Sequence, residues 1–410
     1  MTLKKIHTIC MAVLGMIASA CQTEKEAVRP DADEPSIDFS IEYTEQAPST
    51  RALINTLSNL QDACKPTSLS GGKGHYIWLW GSYKAGGNLE QIETIFYKRK
   101  LRYDLVENDY ATQWNYEGQK ESWRTGATYV FRALYSDHLE QLEIRGNDAT
   151  KLQVKYPTQL LQDDLLAASA AKSNPVILNF KHVLAALRFQ FRFKPQYIGG
   201  VKQEDGIANQ EDSITECWIE NAASDLDLND KVGCFATVGS MHYGQGTIGG
   251  SVADRETLFW QSNLCEKTMY HWTSDPSNTY NKFENKTSGT TTSITTATAY
   301  LGASSAGGLF TQNDGWILAI PNYITKPLKL CFKSKMNGEN VYSVLLNKLT
   351  DVPPSADNSN FEYEGHYYEP LVLKHNMRYT FSVIFRATDL DVEVDIKPWR
   401  NIDISDEIIY

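Results

Sequence analysis

Two side chains sit where covalent chemistry could be done on this chain. Cys21 follows Ala18-Ser19-Ala20, and upstream lie Lys4, Lys5 and an apolar run from Ile9 to Ile17. The run is too short to span a bilayer comfortably, so it reads as a cleaved export leader. A cysteine directly after small residues is the pattern of a bacterial lipoprotein. Its sulfur would carry a diacylglycerol whose acyl chains hold the protein at a membrane. The second residue is Arg51, a lone basic side chain in "QAPSTRA". A short polar segment with a proline and one arginine has the profile of an exposed loop open to a trypsin-like protease.

Chemistry performed by the chain would need a constellation, and the remaining residues form none. His75, His138, His182, His242, His271, His366 and His375 are spread singly, without H-E-x-x-H, and no G-x-S-x-G occurs. His182, between a strand-like run and an apolar one, is expected as a structural hydrogen bonder. Gly71-Gly72-Lys73-Gly74 lacks the spacing of a phosphate loop. "DLDLND" (225–230) begins like a calcium loop, but Asp230 stands where the turn glycine belongs and Ala236 where the bidentate glutamate belongs. Cys64, Cys217, Cys234, Cys265 and Cys331 are scattered, odd in number and without C-x-x-C, which argues against a disulfide framework or a zinc site. Trp78 and Trp80 are expected in a core rather than stacked on sugars. The expectation is a protein that is not an enzyme and needs no cofactor or metal.

The elements around those residues are strands. In "SIDFSIEY", Ile37, Phe39, Ile41 and Tyr43 alternate with Asp38, Ser40, Glu42 and Thr44, the period of a strand with one face in a core. A strand between a lipid anchor and a cuttable loop can be removed as a unit, and its loss leaves a groove that another strand must fill. Leu53, Ile54, Leu57, Leu60 and Cys64 then recur at helical spacing. Short strands follow at Tyr76 to Trp80, Ile92 to Tyr97, Leu101 to Leu105, Trp114 to Tyr116, Thr128 to Tyr135 and Leu152 to Tyr156, with turn residues between them. In "PVILNFKHVLAALRFQFRFK" two alternating strands flank His182 to Leu187, which reads as one helical turn. Pro195 and Gly199-Gly200 then suggest a domain boundary.

The second half repeats the pattern of short strands, interrupted by a Thr/Ser/Gly-rich stretch at 285–308 that reads as a long surface loop. Near the end Tyr379, Phe381, Val383 and Phe385 alternate. Leu390, Val392, Val394 and Ile396 follow, set against Asp389, Asp391, Glu393 and Asp395. That last strand could pair within its own sheet or lie in a neighbour's groove, and period alone leaves both open. The chain has 410 residues and a net charge of −11. Loss of Lys4 and Lys5 with the leader makes it −13, an acidic balance that argues against nucleic acid as a partner. Expected organisation is a signal peptide at 1–20, a lipidated tether and removable strand at 21–51, and two all-β domains at 52–194 and 195–410. A donor-strand candidate lies at 389–404.

The lipobox ending at Cys21, "IDFS…TRA", "LNFKHVLAALRFQF" and "MRYTFSVIF…DVEVDIKPW" together resemble the fimbrillin family, the subunits of type V pili of Bacteroidales. "W-N-Y…S-W…Y-V-F-R-A" (Trp114 to Ala133) adds to the likeness. The resemblance implies two tandem antiparallel β-sandwich domains of transthyretin-like topology with a few short helices. It implies export as an outer-membrane lipoprotein, cleavage after Arg51 and loss of the strand Ile37 to Tyr43. The groove is then filled by a C-terminal strand of the next subunit, here Leu390, Val392, Val394 and Ile396. Partners would be other fimbrial subunits, the outer membrane through the Cys21 lipid, an Arg-specific protease and a host glycan or protein. The acidic terminus and the long Thr-rich stretch depart from a plain stalk subunit. Tip and anchor roles therefore stand beside the stalk, as does an unprocessed surface lipoprotein that binds a glycan or other ligand.

Overall fold

The computed structural model describes residues 34–43, 54, 56–85, 92–105, 112–158, 161, 163–193, 196–198, 201–203, 212–222, 233–243, 258–273, 292–294, 299–300, 316–334, 340–385 and 390–398. Cys21, Arg51, Ala52, the leader, the "DLDLND" stretch and the chain after Pro398 lie outside them.

The fold is all-β, as the alternation predicts. The described residues contain one α-helix, Leu57–Cys64, and a single 3-10 turn, Leu139–Gln141. Thr56 caps the helix by accepting from Asn59 N–H at 3.1 Å, and Leu60, Ala63 and Cys64 form its buried side.

Seven strands close into a barrel. They are β1 (Phe39–Tyr43), β2 (Ile77–Lys84), β3 (Ile92–Leu105), β4 (Thr112–Tyr116), β5 (Thr128–Tyr135), β8 (Leu166–Ala171) and β9 (Val176–His182). Between β5 and β8 run β6 (Glu143–Arg145) and β7 (Gln153–Pro157), which belong to a different sheet. Around the barrel the order is β1-β4-β3-β2-β5-β8-β9, and β9 meets β1 again. Every neighbouring pair is antiparallel except β1 and β9. The interior is aromatic, with Phe39, Phe96, Trp123, Tyr129, Phe131 and Phe180 among its buried side chains.

Gly81 of β2 lies in that packing. A Cβ there would stand 2.6 Å from the Phe96 ring and 3.0 Å from both Ile95 and Phe131. Gly81→Ala is therefore expected to destabilise the protein by about 1–3 kcal/mol, the cost of overpacking, measured by denaturant unfolding.

Strand β10 (Ala185–Phe193) opens the second half. It runs parallel to Met377–Phe385 over eight register pairs and antiparallel to Ile317–Ala319. Facing sheet strands Asp212–Asn221, Leu328–Ser334, Thr268–Thr273 and Tyr342–Leu345 complete this core. A third sheet joins β6 and β7 to Ala236–Tyr243 and Leu258–Cys265.

β10 pairs with Met377–Phe385, and β7 pairs with Ala236–Tyr243. Three expectations change. His182 to Leu187 is not a helical turn, because β9 runs through His182 and strand resumes at Ala185. The two strands expected at 92–97 and 101–105 are one strand, bent at Lys98, whose φ is 48°. Within 285–308, Thr292–Ile294 and Ala299–Tyr300 are short strands paired to Asp212–Ile214 and to Gln190 and Phe191. The five described cysteines are buried. Trp80 is fully buried, whereas Trp78 is partly buried with its ring stacked on Tyr76 and approached by Lys98.

Candidate functional site: the seat of the N-terminal strand

β1 occupies a slot between β4 and β9, and its hydrogen bonding is lopsided. Toward β9 it makes five consecutive parallel pairs, Phe39↔Val176 through Tyr43↔Phe180. Val176 N–H also donates to Asp38 O at 2.8 Å. Toward β4 it makes a single pair, Phe39↔Trp114. The segment before it is held by Ile37 N–H to Glu121 O (2.8 Å), Trp123 N–H to Pro35 O (3.2 Å) and a bridge between Ser36 and Ser122. Parallel pairing is the slightly weaker kind per residue, so side-chain burial carries much of the hold.

That burial is nearly complete. Ile37, Phe39, Ile41 and Tyr43 are 0 %, 5 %, 5 % and 7 % exposed. Phe39 presents its ring edge-on to Phe96, Tyr116 and Phe131, with centroids 5.6–5.9 Å away, the geometry favoured by aromatic quadrupoles. Outside, Asp38 meets Lys120 at 3.4 Å.

The C-terminal end of β1 carries a polar fastening inside this apolar slot. Tyr43 Oη donates to the Ile54 carbonyl at 2.5 Å and lies 2.7 Å from His182 Nε2. His182 Nδ1 lies 2.9 Å from Asp164 Oδ1, so each ring nitrogen has an oxygen neighbour. Both His182 and Asp164 are buried. Burial pushes the Tyr43 hydroxyl well above its ordinary range, the Asp164 charge adds to this, and Arg378 opposes it. Tyr43 therefore stays a neutral phenol and keeps the proton it donates to the Ile54 carbonyl.

This fastening straddles the expected cut. Tyr43 precedes the cuttable loop and Ile54 follows it, while His182 and Asp164 stand on the body of the protein. His182 is thus the hydrogen bonder expected from sequence. Asp164 and the Ile54 carbonyl were not foreseeable, since neither has a local signal and one is a backbone atom.

The expected donor side chains Leu390, Val392, Val394 and Ile396 belong to the strand Leu390–Pro398. It pairs antiparallel with Met377–Phe385, its register running from Leu390↔Phe385 to Pro398↔Met377. In the described sheet order this strand lies at the end. In the single uncut chain it is paired in its own sheet, one of the two possibilities that the alternation left open. Among the described residues no cluster of His, Cys, Asp and Glu could hold a metal ion.

No family model matches the chain, and no curated protein matches it. Among solved structures it is similar to a fimbrial protein from Bacteroides vulgatus, at 10 % identity and a TM-score of 0.47, covering 89 % of this chain and 99 % of that one. It is also similar to a fimbrial assembly protein from Parabacteroides distasonis, at 11 % identity and a TM-score of 0.34, covering 89 % and 100 %. A third is the tip fimbrial protein Mfa3 from Porphyromonas gingivalis, at 8 % identity and a TM-score of 0.31, covering 79 % and 94 %. Others are putative cell adhesion proteins, among them one from Bacteroides uniformis, at 10 % identity and a TM-score of 0.40, covering 90 % of this chain and 100 % of that one.

Proposed function

We propose that this chain is a structural subunit, stalk or tip, of a cell-surface fimbria. In this reading it is exported as an outer-membrane lipoprotein on Cys21, cut after Arg51 by an Arg-specific protease, and polymerised by strand exchange. The observation that carries the reading is the seat of β1. The strand that closes the barrel stands eight positions before the cuttable arginine, and its inward side chains are buried. Removing it uncovers the edges of β4 and β9 together with an aromatic interior, a slot that only another extended strand fits. Four such side chains contribute roughly 1.5–3 kcal/mol each on full burial. An incoming strand of similar character would regain that on the scale of a lasting assembly.

Leu390–Pro398 supports a second reading. As long as it stays paired with Met377–Phe385 and β1 stays seated, the chain is complete alone, as an unprocessed surface lipoprotein would be. Such a protein is a pilus anchor or an adhesin for a glycan or other ligand. The N-terminus of material sheared from cells separates the two. A start at Ala52 in high-molecular-weight species supports the fimbrial subunit. A diacylated Cys21 on a monomer overturns it. Arg51→Ala is expected to abolish both the Ala52 terminus and the large species while leaving the folded monomer intact, read by mass spectrometry and size-exclusion chromatography.

A further inference from the structure

The sheet formed by β6, β7, Ala236–Tyr243 and Leu258–Cys265 covers a core with one face only. Its inward side chains, among them Ile144, Val154, Met241 and Trp260, pack into one apolar cluster. The alternate residues therefore stand on the other face, and the register sets them in two cross-strand rows. One row is Glu143, Lys155, Ser240 and Gln261; the other is Arg145, Gln153, His242 and Phe259. We infer that this outer face binds an acidic oligosaccharide, with the ligand's anionic group on Arg145 and Lys155 and one of its sugar rings on Phe259. None of these residues belongs to β1 or to Leu390–Pro398, so the inference goes beyond the fimbrial reading and holds for either form of the chain.

The two rows offer what a sugar ring requires. Phe259 is 48 % exposed and stacks on the His242 imidazole, with centroids 5.1 Å and planes 8° apart. Gln153 Nε2 lies 3.3 Å from His242 Nε2, and burial lowers the His242 pKa, so this platform is uncharged at neutral pH. The face of an aromatic ring is electronegative, whereas the C–H face of a pyranose is apolar and slightly positive, so the two pack flat on each other. Gln153, Gln261 and Asn263 add amides, each a donor and an acceptor for the hydroxyl rim. Asn263 is held in place by its own bond to Ser240 Oγ.

Charge selects the acidic class. Arg145 Nε donates to Glu143 Oε1 at 2.6 Å, and Lys155 Nζ donates to Glu143 Oε2 at 3.2 Å. These bonds hold the Glu143 carboxyl below its usual range, so the trio carries one net positive charge at neutral pH. On a chain whose net charge is −11, that is a local reversal of sign. The Arg145 fork has N–H groups beyond the one Nε spends on Glu143, and their geometry matches a carboxylate or a sulfate. A groove of about 460 Å³ lies here, lined by Glu143, Arg145, Gln153, Lys155, Ser240 and Asn263 among others, within the size range of small-ligand sites.

Span selects an oligomer. Arg145 and Phe259 stand at the two ends of one row across four strands, and three inter-strand gaps separate them by about 14 Å. That distance suits a short chain of sugars rather than one. A protein partner fits less well. The middle of a protein interface is apolar and depleted of charge, whereas the middle of this face is Gln153, Lys155, Ser240 and His242.

The test titrates the purified, uncut full chain with three hexasaccharides by calorimetry: hyaluronan, which carries carboxylates, chondroitin sulfate, which adds sulfates, and neutral chitohexaose. The acidic pair should bind at least about tenfold more tightly than chitohexaose, the scale of one charge-assisted hydrogen bond, and the tighter of the two identifies the anion. Arg145→Gln should remove that preference. Phe259→Ala should weaken all three while leaving the unfolding midpoint unchanged, since the ring is half exposed. Glu143→Gln should tighten the acidic ligands by freeing both cations, a gain that a merely structural role would not produce. No binding, equal binding of the three, or a preference that survives Arg145→Gln overturns the inference. So does a dimer in light scattering that Phe259→Ala dissolves, which assigns the face to a second copy. None of these readouts depends on cleavage or polymerisation, so their failure leaves the fimbrial reading standing.

Discussion

Cutting the purified chain after Arg51, with no replacement strand supplied, is expected to leave β1 in place. The loop is covalent insurance; the strand is held by other means. Ile37, Phe39, Ile41 and Tyr43 are nearly solvent-free, five parallel pairs tie the strand to β9, and Tyr43 is bonded to Ile54 on the far side of the cut. Gross apolar burial of roughly 6–12 kcal/mol outweighs the modest entropy released by opening one short loop. The nicked protein should therefore elute as one species, with the fragment detected beside the body by native mass spectrometry. Phe39→Ala should reverse this. It removes a ring that touches Phe96, Tyr116 and Phe131, at about 3–5 kcal/mol, so the nicked variant should shed its N-terminal fragment and expose apolar surface to a dye such as ANS. Immediate loss of the fragment from the unsubstituted protein would show that cleavage and release are one step.

His182→Ala is expected to have an effect of similar size by a different route. It leaves the buried Asp164 carboxylate without its imidazole and Tyr43 without one of its two contacts. Leaving a buried carboxyl without its hydrogen-bond partner costs about 3 kcal/mol or more. Adding Asp164→Ala to His182→Ala should recover part of that loss, giving a coupling in a double-mutant cycle. Tyr43→Phe gives an internal control. In the uncut chain it should cost about 1–3 kcal/mol, the penalty for leaving the Ile54 carbonyl and His182 underbonded. In protein beginning at Ala52 the residue is gone, so processed material from Tyr43→Phe and unsubstituted precursors should unfold alike, whereas His182→Ala should still matter. Equal costs for Tyr43→Phe and His182→Ala in the uncut chain would mean that Asp164 contributes nothing to the fastening.

What the sequence disclosed follows the reach of local physics. The alternation of Ile37, Phe39, Ile41 and Tyr43 was enough to identify a strand with one buried face, because burial on a pleated sheet has a period of two. That β1 runs parallel to β9 was not legible, since period carries no direction and the partner begins 133 residues later at Val176. His182 to Leu187 misled for a physical reason. Ala185, Ala186 and Leu187 are all fully buried, so both faces of that strand meet apolar surroundings and the alternation vanishes. A short continuous apolar run is ambiguous between helix and strand. The bend at Lys98 likewise falls between the runs Ile92 to Tyr97 and Leu101 to Leu105, so one strand reads as two. That β7 pairs with Ala236–Tyr243 was not legible either, since no local signal reports such a pairing. In the candidate site, the apolar half could be read residue by residue; its polar half depends on Asp164 and Ile54, which only folding brings to Tyr43.

The shared sheet has a mechanical meaning. Five register pairs, Pro157↔Val238 to Gln153↔His242, join the two halves of the molecule. The chain also crosses between them on Val183 and Leu184, both buried. Tension or bending applied at one end is thus passed to the other through a hydrogen-bonded ladder and a packed core, with no slack tether at this crossing. A filament of such units would flex where one copy meets the next and behave as a stiff beam within each copy.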